Sequence, residues 1–189
     1  MATEDKKLIS DLYSQIEIIN SIMDELKTDL ESSMLTQHSA FENSILTLEP
    51  KVFLKWSGPD GLEEYIKHET GCRPFAAAGI NPRPAEKTTI LRSVEGTKYY
   101  ADDLRDINYP IYTLYGHNGD QDEGEKKFNE PLLNPTKTNH IYLYQVKTNR
   151  KQTEYLWYGK YVIETTNKKL HPGKDGVMRT IILLSLKRV

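Results

Sequence analysis

At 189 residues, with 38% hydrophobic and 28% charged side chains, the chain suits one globular domain plus an appendage. No stretch nears the ~18 consecutive apolar residues of a membrane helix, and a single cysteine, Cys72, excludes an internal disulfide or a cysteine-based zinc site. The net charge of −2 hides an asymmetry: residues 1–49 hold 3 Lys+Arg against 10 Asp+Glu (−7), and residues 50–189 hold 22 against 17 (+5). A mildly basic body permits phosphate contact but lacks the strongly basic signature of a nonspecific nucleic-acid binder.

Residues 1–7 lead straight into an amphipathic stretch, so neither a secretory leader nor a membrane partner is expected, and the protein reads as intracellular. Ile9, Leu12, Ile16, Ile19, Met23, Leu26 and Leu30 recur in steps of three and four, an a/d heptad seam with no interior Gly or Pro. That seam predicts a helical arm over residues 1–49 that pairs with a second copy through residues 9–30. Leu8, Ile18 and Ile22 widen the stripe, as in a helix docked on its own domain. Phe41, Ile45 and Leu48 continue or restart the helix before Pro50 closes it.

From residue 50 the vocabulary changes to short runs of Tyr, Thr, Ile and Val between Gly, Pro and Asn, which predicts a β-rich domain over residues 50–189. Strands are expected at 51–56, 88–94, 97–101, 111–115, 141–148, 154–165 and 178–187. A short helix is expected at 61–68, a loop at 70–84, and a polar loop at 118–130 that leads into a helical turn ending near Leu133. The fold class is therefore α+β: a coiled-coil-like arm, then a twisted β domain with short helices.

Between Gly96 and Gly116, two tyrosine-bearing segments flank an acidic turn. Tyr100 and Tyr112 offer two flat walls, Asp103 a charged acceptor and Thr113 a neutral polar partner, the set needed to hold a planar heterocycle with an amino group. The ordinary alternative is β structure, since tyrosine favours strands and the chain has twelve. His117 and His140 read as structural or exposed, and Lys126–Lys127 as a solvated pair. No nuclease or hydrolase constellation is evident; Asp102/Asp103 and Asp120/Asp122 lack the companions that metal-dependent cleavage needs. No metal or cofactor is expected.

Read in order, several stretches resemble the SRA domain, the SET- and RING-associated module that recognises modified cytosine. They are Arg73-Pro74 with Ala78-Gly79-Ile80, Tyr100-Ala101-Asp102-Asp103, Tyr112-Thr113 twelve residues after Tyr100, Gly119-Asp120-Gln121 with Asn129 and Leu132-Leu133, and Tyr158 to Ile163 with the terminal strand. The resemblance implies an SRA/PUA-like twisted β-barrel that binds double-stranded DNA carrying 5-methyl- or 5-hydroxymethylcytosine. The resemblance also implies that the base is flipped into a pocket of Tyr100, Asp103, Tyr112 and Thr113. It further implies that the loop of Phe75, Ala76 and Ala77 fills the vacated stack, with Arg73 at the DNA; Arg83, Arg92 and Lys98 read as phosphate contacts by charge alone. The loop between Tyr115 and Lys127 lacks the Asn-Lys-Arg finger of some members. The module would be noncatalytic, a reader or the recognition part of a modification-dependent restriction system, working in a nucleus or in a bacterial cytoplasm and nucleoid. The alternatives are a coiled-coil adaptor for another protein and a reader of modified RNA.

Overall fold

The computed structural model describes residues 15–17, 19–34, 49–75, 78–149 and 152–189. Two compact units are present, residues 1–47 and 48–189. In the first, residues 15–17 and 19–34 form a helix, α1, and its seam positions Ile16, Ile19, Met23, Leu26 and Leu30 are all more than half exposed. The remaining expected seam residues, Ile9 and Leu12, lie outside the described residues, as do Ile18, Phe41, Ile45 and Leu48.

The second unit is a curled mixed β half-barrel. Its strands are β1 (Lys51–Phe53), β2 (Ile80–Arg83), β3 (Thr88–Val94), β4 (Ile111–Thr113), β5 (His140–Thr148), β6 (Thr153–Pro172) and β7 (Met178–Arg188). Two short helices join them, α2 (Leu62–Thr70) and α3 (Asn129–Leu133). The strand order is β2-β3-β5-β6-β7-β4, with β1 on the remaining edge of β6; β3 and β5 run parallel and every other pair antiparallel.

Bulges curve the sheet. Leu143 faces Gly159 and Tyr144 faces Trp157, so Tyr158 is the extra residue. Gly159 takes φ +99, a left-handed geometry that glycine adopts without a Cβ penalty. A second irregularity between Ile163 and Thr165 turns β6 again where it leaves β5 for β7. The sheet buries both faces. One cluster gathers Leu91, Leu114, Leu143, Tyr161, Ile182 and Leu184; the other gathers Leu62 and Ile66 of α2 with Phe53, Ile90, Tyr144 and Trp157.

Three expectations change. The loop expected over residues 70–84 ends in a strand, β2, because Pro82 sits at a sheet edge where its missing N–H leaves no ladder bond unmade. The expected strand at 97–101 is a turn. There, side chains replace the ladder: Thr113 N–H donates to Asp102 Oδ1 at 2.8 Å, and Ala101 N–H to Thr113 Oγ1 at 3.0 Å. Only Asp103 and Ile111 exchange a backbone pair, at 2.9 and 2.8 Å. Finally, β6 runs on to Pro172, well beyond the expected end near residue 165.

Candidate functional site

The turn at residues 99–103 separates two hollows. One is an aromatic cleft of about 360 Å³, walled by Tyr99, Tyr100, Tyr112, Tyr115, His117 and Phe128 and floored by Ala78–Gly79, Asp102 and Thr113. The other is a polar trough of about 500 Å³, lined by Ser93, Asp102, Asp103, Arg105, Gln145, Lys147 and Tyr158 among others. Val94, Thr97, Tyr100 and Asp102 border both.

Of the four expected pocket residues, Tyr100, Tyr112 and Thr113 meet at the aromatic cleft. Tyr112 is only 3% exposed, and its hydroxyl donates to Gly79 O at 2.8 Å, tying β4 to the loop before β2. Tyr100 keeps its proton: burial raises the phenol to about 12, against the opposing pull of the Gly116 backbone.

Asp103 lies elsewhere. It borders the trough and not the aromatic cleft, and both of its oxygens face Arg105, at 2.8 Å from Nε and 2.5 Å from Nη2. Those bonds hold its carboxyl down at about 2. Asp102 is the carboxylate on the aromatic cleft, accepting from Ser93 Oγ at 2.7 Å and Thr113 N–H at 2.8 Å. Burial raises its pKa, opposed by the Ser93 hydroxyl and by the Thr113 backbone and hydroxyl. A carboxylate only accepts, so a ligand group that meets Asp102 has to be an N–H or O–H donor.

The expected DNA-contact residues fall into separate places. Phe75 is 64% exposed; its N–H donates to Asn81 Oδ1 at 2.8 Å, and the Arg83 guanidinium sits 4.2 Å above its ring. Arg83 also donates to Arg73 O at 2.6 Å. Arg73 is engaged by two acids of α2, at 2.5 Å from Glu64 and 3.5 Å from Glu63, which neutralise much of its charge. Arg92 borders the aromatic cleft and Lys98 is exposed just before Tyr99. Ala76 and Ala77 lie outside the described residues.

Sequence reasoning missed the rest of the wall. His117 is no isolated histidine: its ring centre lies 5.3 Å from Tyr99, 5.8 Å from Tyr100 and 5.4 Å from Tyr115. Phe128 packs 4.5 Å from Tyr115, and Lys127 reaches over Phe128 at the cleft edge. The motif residues Gln121 and Asn129 act as braces. Gln121 accepts from Ile182 N–H at 2.6 Å and donates to Leu114 O at 2.5 Å; Asn129 exchanges bonds of 2.9 and 3.0 Å with the Tyr115 backbone. Both are buried polar side chains in polar segments, the signal that sets them apart from solvated neighbours. Among the described residues no group of three or more His, Cys, Asp or Glu could hold a metal, and no helix is long and apolar enough to cross a membrane.

No protein-family model matches the sequence, and no curated protein is significantly similar to it. Solved structures do match. The body is similar to the MspJI restriction endonuclease in complex with a 27-mer oligonucleotide, with TM-score 0.57, 15% identity, 75% of this chain and 42% of that chain covered. It is similar also to the DNA modification-dependent restriction endonuclease AspBHI, with TM-score 0.52, 14% identity and the same coverage, 75% and 42%. The match thus spans under half of either neighbour. The likeness is one of fold, and the body of this chain has an SRA-like fold.

Proposed function

We propose that the body binds double-stranded DNA containing modified cytosine, 5-methyl- or 5-hydroxymethylcytosine, by taking the flipped base into the aromatic cleft. The observation that carries this reading is the meeting of Tyr100, Tyr112, Thr113 and the Asp102 carboxylate in one hollow. Flipping a base costs a few kcal/mol, and aromatic stacking returns about 1–3 kcal/mol per base. Tyr100 supplies an accessible wall, with Tyr112 behind it. Asp102, rather than Asp103, takes the cytosine amine; thymine presents a carbonyl there and would leave the carboxylate facing an acceptor. Phe75 and Arg83 flank the vacated stack, and Lys127 and Arg92 meet phosphates.

On this reading the body, residues 50–189, is a noncatalytic recognition module, standing alone or serving a restriction activity elsewhere, and it works inside the cell where duplex DNA lies. The arm, residues 1–49, dimerises. Of its acids, Glu17, Asp24, Glu25 and Glu31 fall at b and c positions, away from the exposed a/d seam, and Asp29 falls at a g position beside it. Titration with matched duplexes carrying cytosine, 5-methylcytosine or 5-hydroxymethylcytosine tests the reading. Binding that depends on modification supports it; equal binding to all three, preference for RNA, or cleavage on adding Mg2+ would count against it. Sedimentation of the whole chain, expected to give a dimer, tests the arm.

A further inference from the structure

Beyond Ile163 the β6–β7 hairpin leaves the core. Residues 164–170 are all exposed, and the cross-strand pairs Leu170–Thr180 and Pro172–Met178 set their side chains on one face. Leu170 and Met178 there are 65% and 59% exposed, and Val177, on the other face beside the turn, is 64% exposed. Lys168 shares this face, Lys169 lies on the opposite one and Lys174 at the hairpin tip; all three are exposed, and Lys168 stands 3.5 Å from Glu123.

The hairpin is fastened to the rim of the aromatic cleft. Lys174 N–H donates to His117 O at 2.9 Å, and Asp175 N–H to Asn118 Oδ1 at 3.3 Å. Gly173 is buried so close that an added Cβ would stand 3.0 Å from His117 O. Arg179, 3% exposed, donates to Tyr99 O at 2.8 Å and Gly119 O at 3.5 Å. Both cleft-lining residues, Tyr99 and His117, are thereby held by the hairpin.

We propose that this ribbon is a second contact to the same duplex, lying in the major groove beside the flipped nucleotide and reading the flanking bases. The proposal rests on the base-binding reading of the cleft. A two-stranded ribbon fits the major groove, where apolar side chains meet the methyl group of thymine. Lysines near an apolar face suit a groove walled by phosphates. Because the hairpin tip is bonded to the cleft rim, a duplex presenting a base to the cleft lies within its reach.

The test uses two variants of the full chain, Leu170→Ser with Met178→Ser, and Lys168→Gln with Lys169→Gln and Lys174→Gln. All five positions are exposed, and an unchanged melting temperature checks that the fold persists. Each protein is titrated with 5-methylcytosine duplexes of randomised flanks across a salt series. The apolar variant is expected to flatten the flank preference and weaken binding about fivefold, leaving the ratio of modified to unmodified binding intact. The lysine variant is expected to lower the salt slope by about one for each phosphate that a lysine no longer neutralises. Unchanged flank preference and slope would overturn the ribbon, as would an effect confined to self-association. Failure of the cleft reading appears separately, as a wild-type protein with no preference for modified over unmodified duplex.

Discussion

The turn at residues 99–103 has two faces, and they differ in what they leave open. On the trough side, charges are already matched: Asp103 grips Arg105, Lys147 stands 3.4 Å from Glu95, and Tyr158 donates to Gln145 Oε1 at 3.1 Å. On the cleft side, one carboxylate, held by two neutral groups, the Ser93 hydroxyl and the Thr113 N–H, sits among aromatic rings. Adjacent aspartates thus have opposite fates. An exposed ion pair contributes little and is screened by solvent. A half-enclosed carboxylate can tell donor from acceptor, because an unmet partner there costs about 1–3 kcal/mol.

The largest expected effect that separates the two faces comes from Asp102→Asn. It turns an acceptor into an amide able to donate, so affinity for a 5-methylcytosine duplex should fall about 10- to 100-fold in an equilibrium titration, and selectivity over thymine should vanish. Tyr100→Ala should follow. Removing one stacking wall is expected to weaken binding of the modified duplex about 5- to 100-fold while binding of an unmodified duplex changes little.

The pH dependence gives a subtler contrast. Burial raises the Asp102 pKa above its ordinary value of 3.8, so the folded protein takes up this proton at higher pH than the unfolded chain does. Stability should therefore rise slightly as pH falls through that window, while affinity for modified DNA falls as the carboxylate is neutralised. Asp103 runs the other way: its carboxyl is held at about 2, so its small stabilisation is present above 3.8 and fades as pH drops toward 2. Affinity should fall with pH in the wild type and less so in Asp102→Asn. Because Asp103, Asp120 and Glu130 lose stabilisation on acidification, the opposing contribution of Asp102 is read as the difference in melting temperature between wild type and Asp102→Asn across pH. The smallest effect is expected from Asp103→Asn, with affinity within about twofold of wild type, since it removes only an exposed pair.

Much of the body was legible in the sequence because β-branched and aromatic runs fix strands wherever they alternate with turn residues, as at Thr88–Val94 and Met178–Arg188. Collinear motifs likewise pointed to Tyr100, Tyr112 and Thr113, which the fold brings to one hollow. The choice between Asp102 and Asp103 was not legible. It depends on side chains replacing a ladder: Asp102 turns inward to take the Thr113 N–H, and Asp103 is left to pair outward. No pattern of spacing records that exchange. Tyr99, Tyr115 and His117 were missed for a similar reason. Loops position them, and Gln121, Asn129 and Arg179 hold those loops by long-range bonds. Pro82 misled for the opposite reason, as local chemistry that forbids an interior strand is harmless at an edge.

Thymine and 5-methylcytosine share the ring methyl and differ at ring position 4, where one carries a carbonyl and the other an amine. The most direct measurement therefore titrates wild type, Asp102→Asn and Asp103→Asn with two duplexes identical except for 5-methylcytosine or a mismatched thymine opposite guanine. Wild type and Asp103→Asn should prefer 5-methylcytosine by about tenfold or more, even though the mismatched base flips more easily, and Asp102→Asn should show no such preference. Retained preference in Asp102→Asn, or its loss in Asp103→Asn, would contradict the assignment of the cleft.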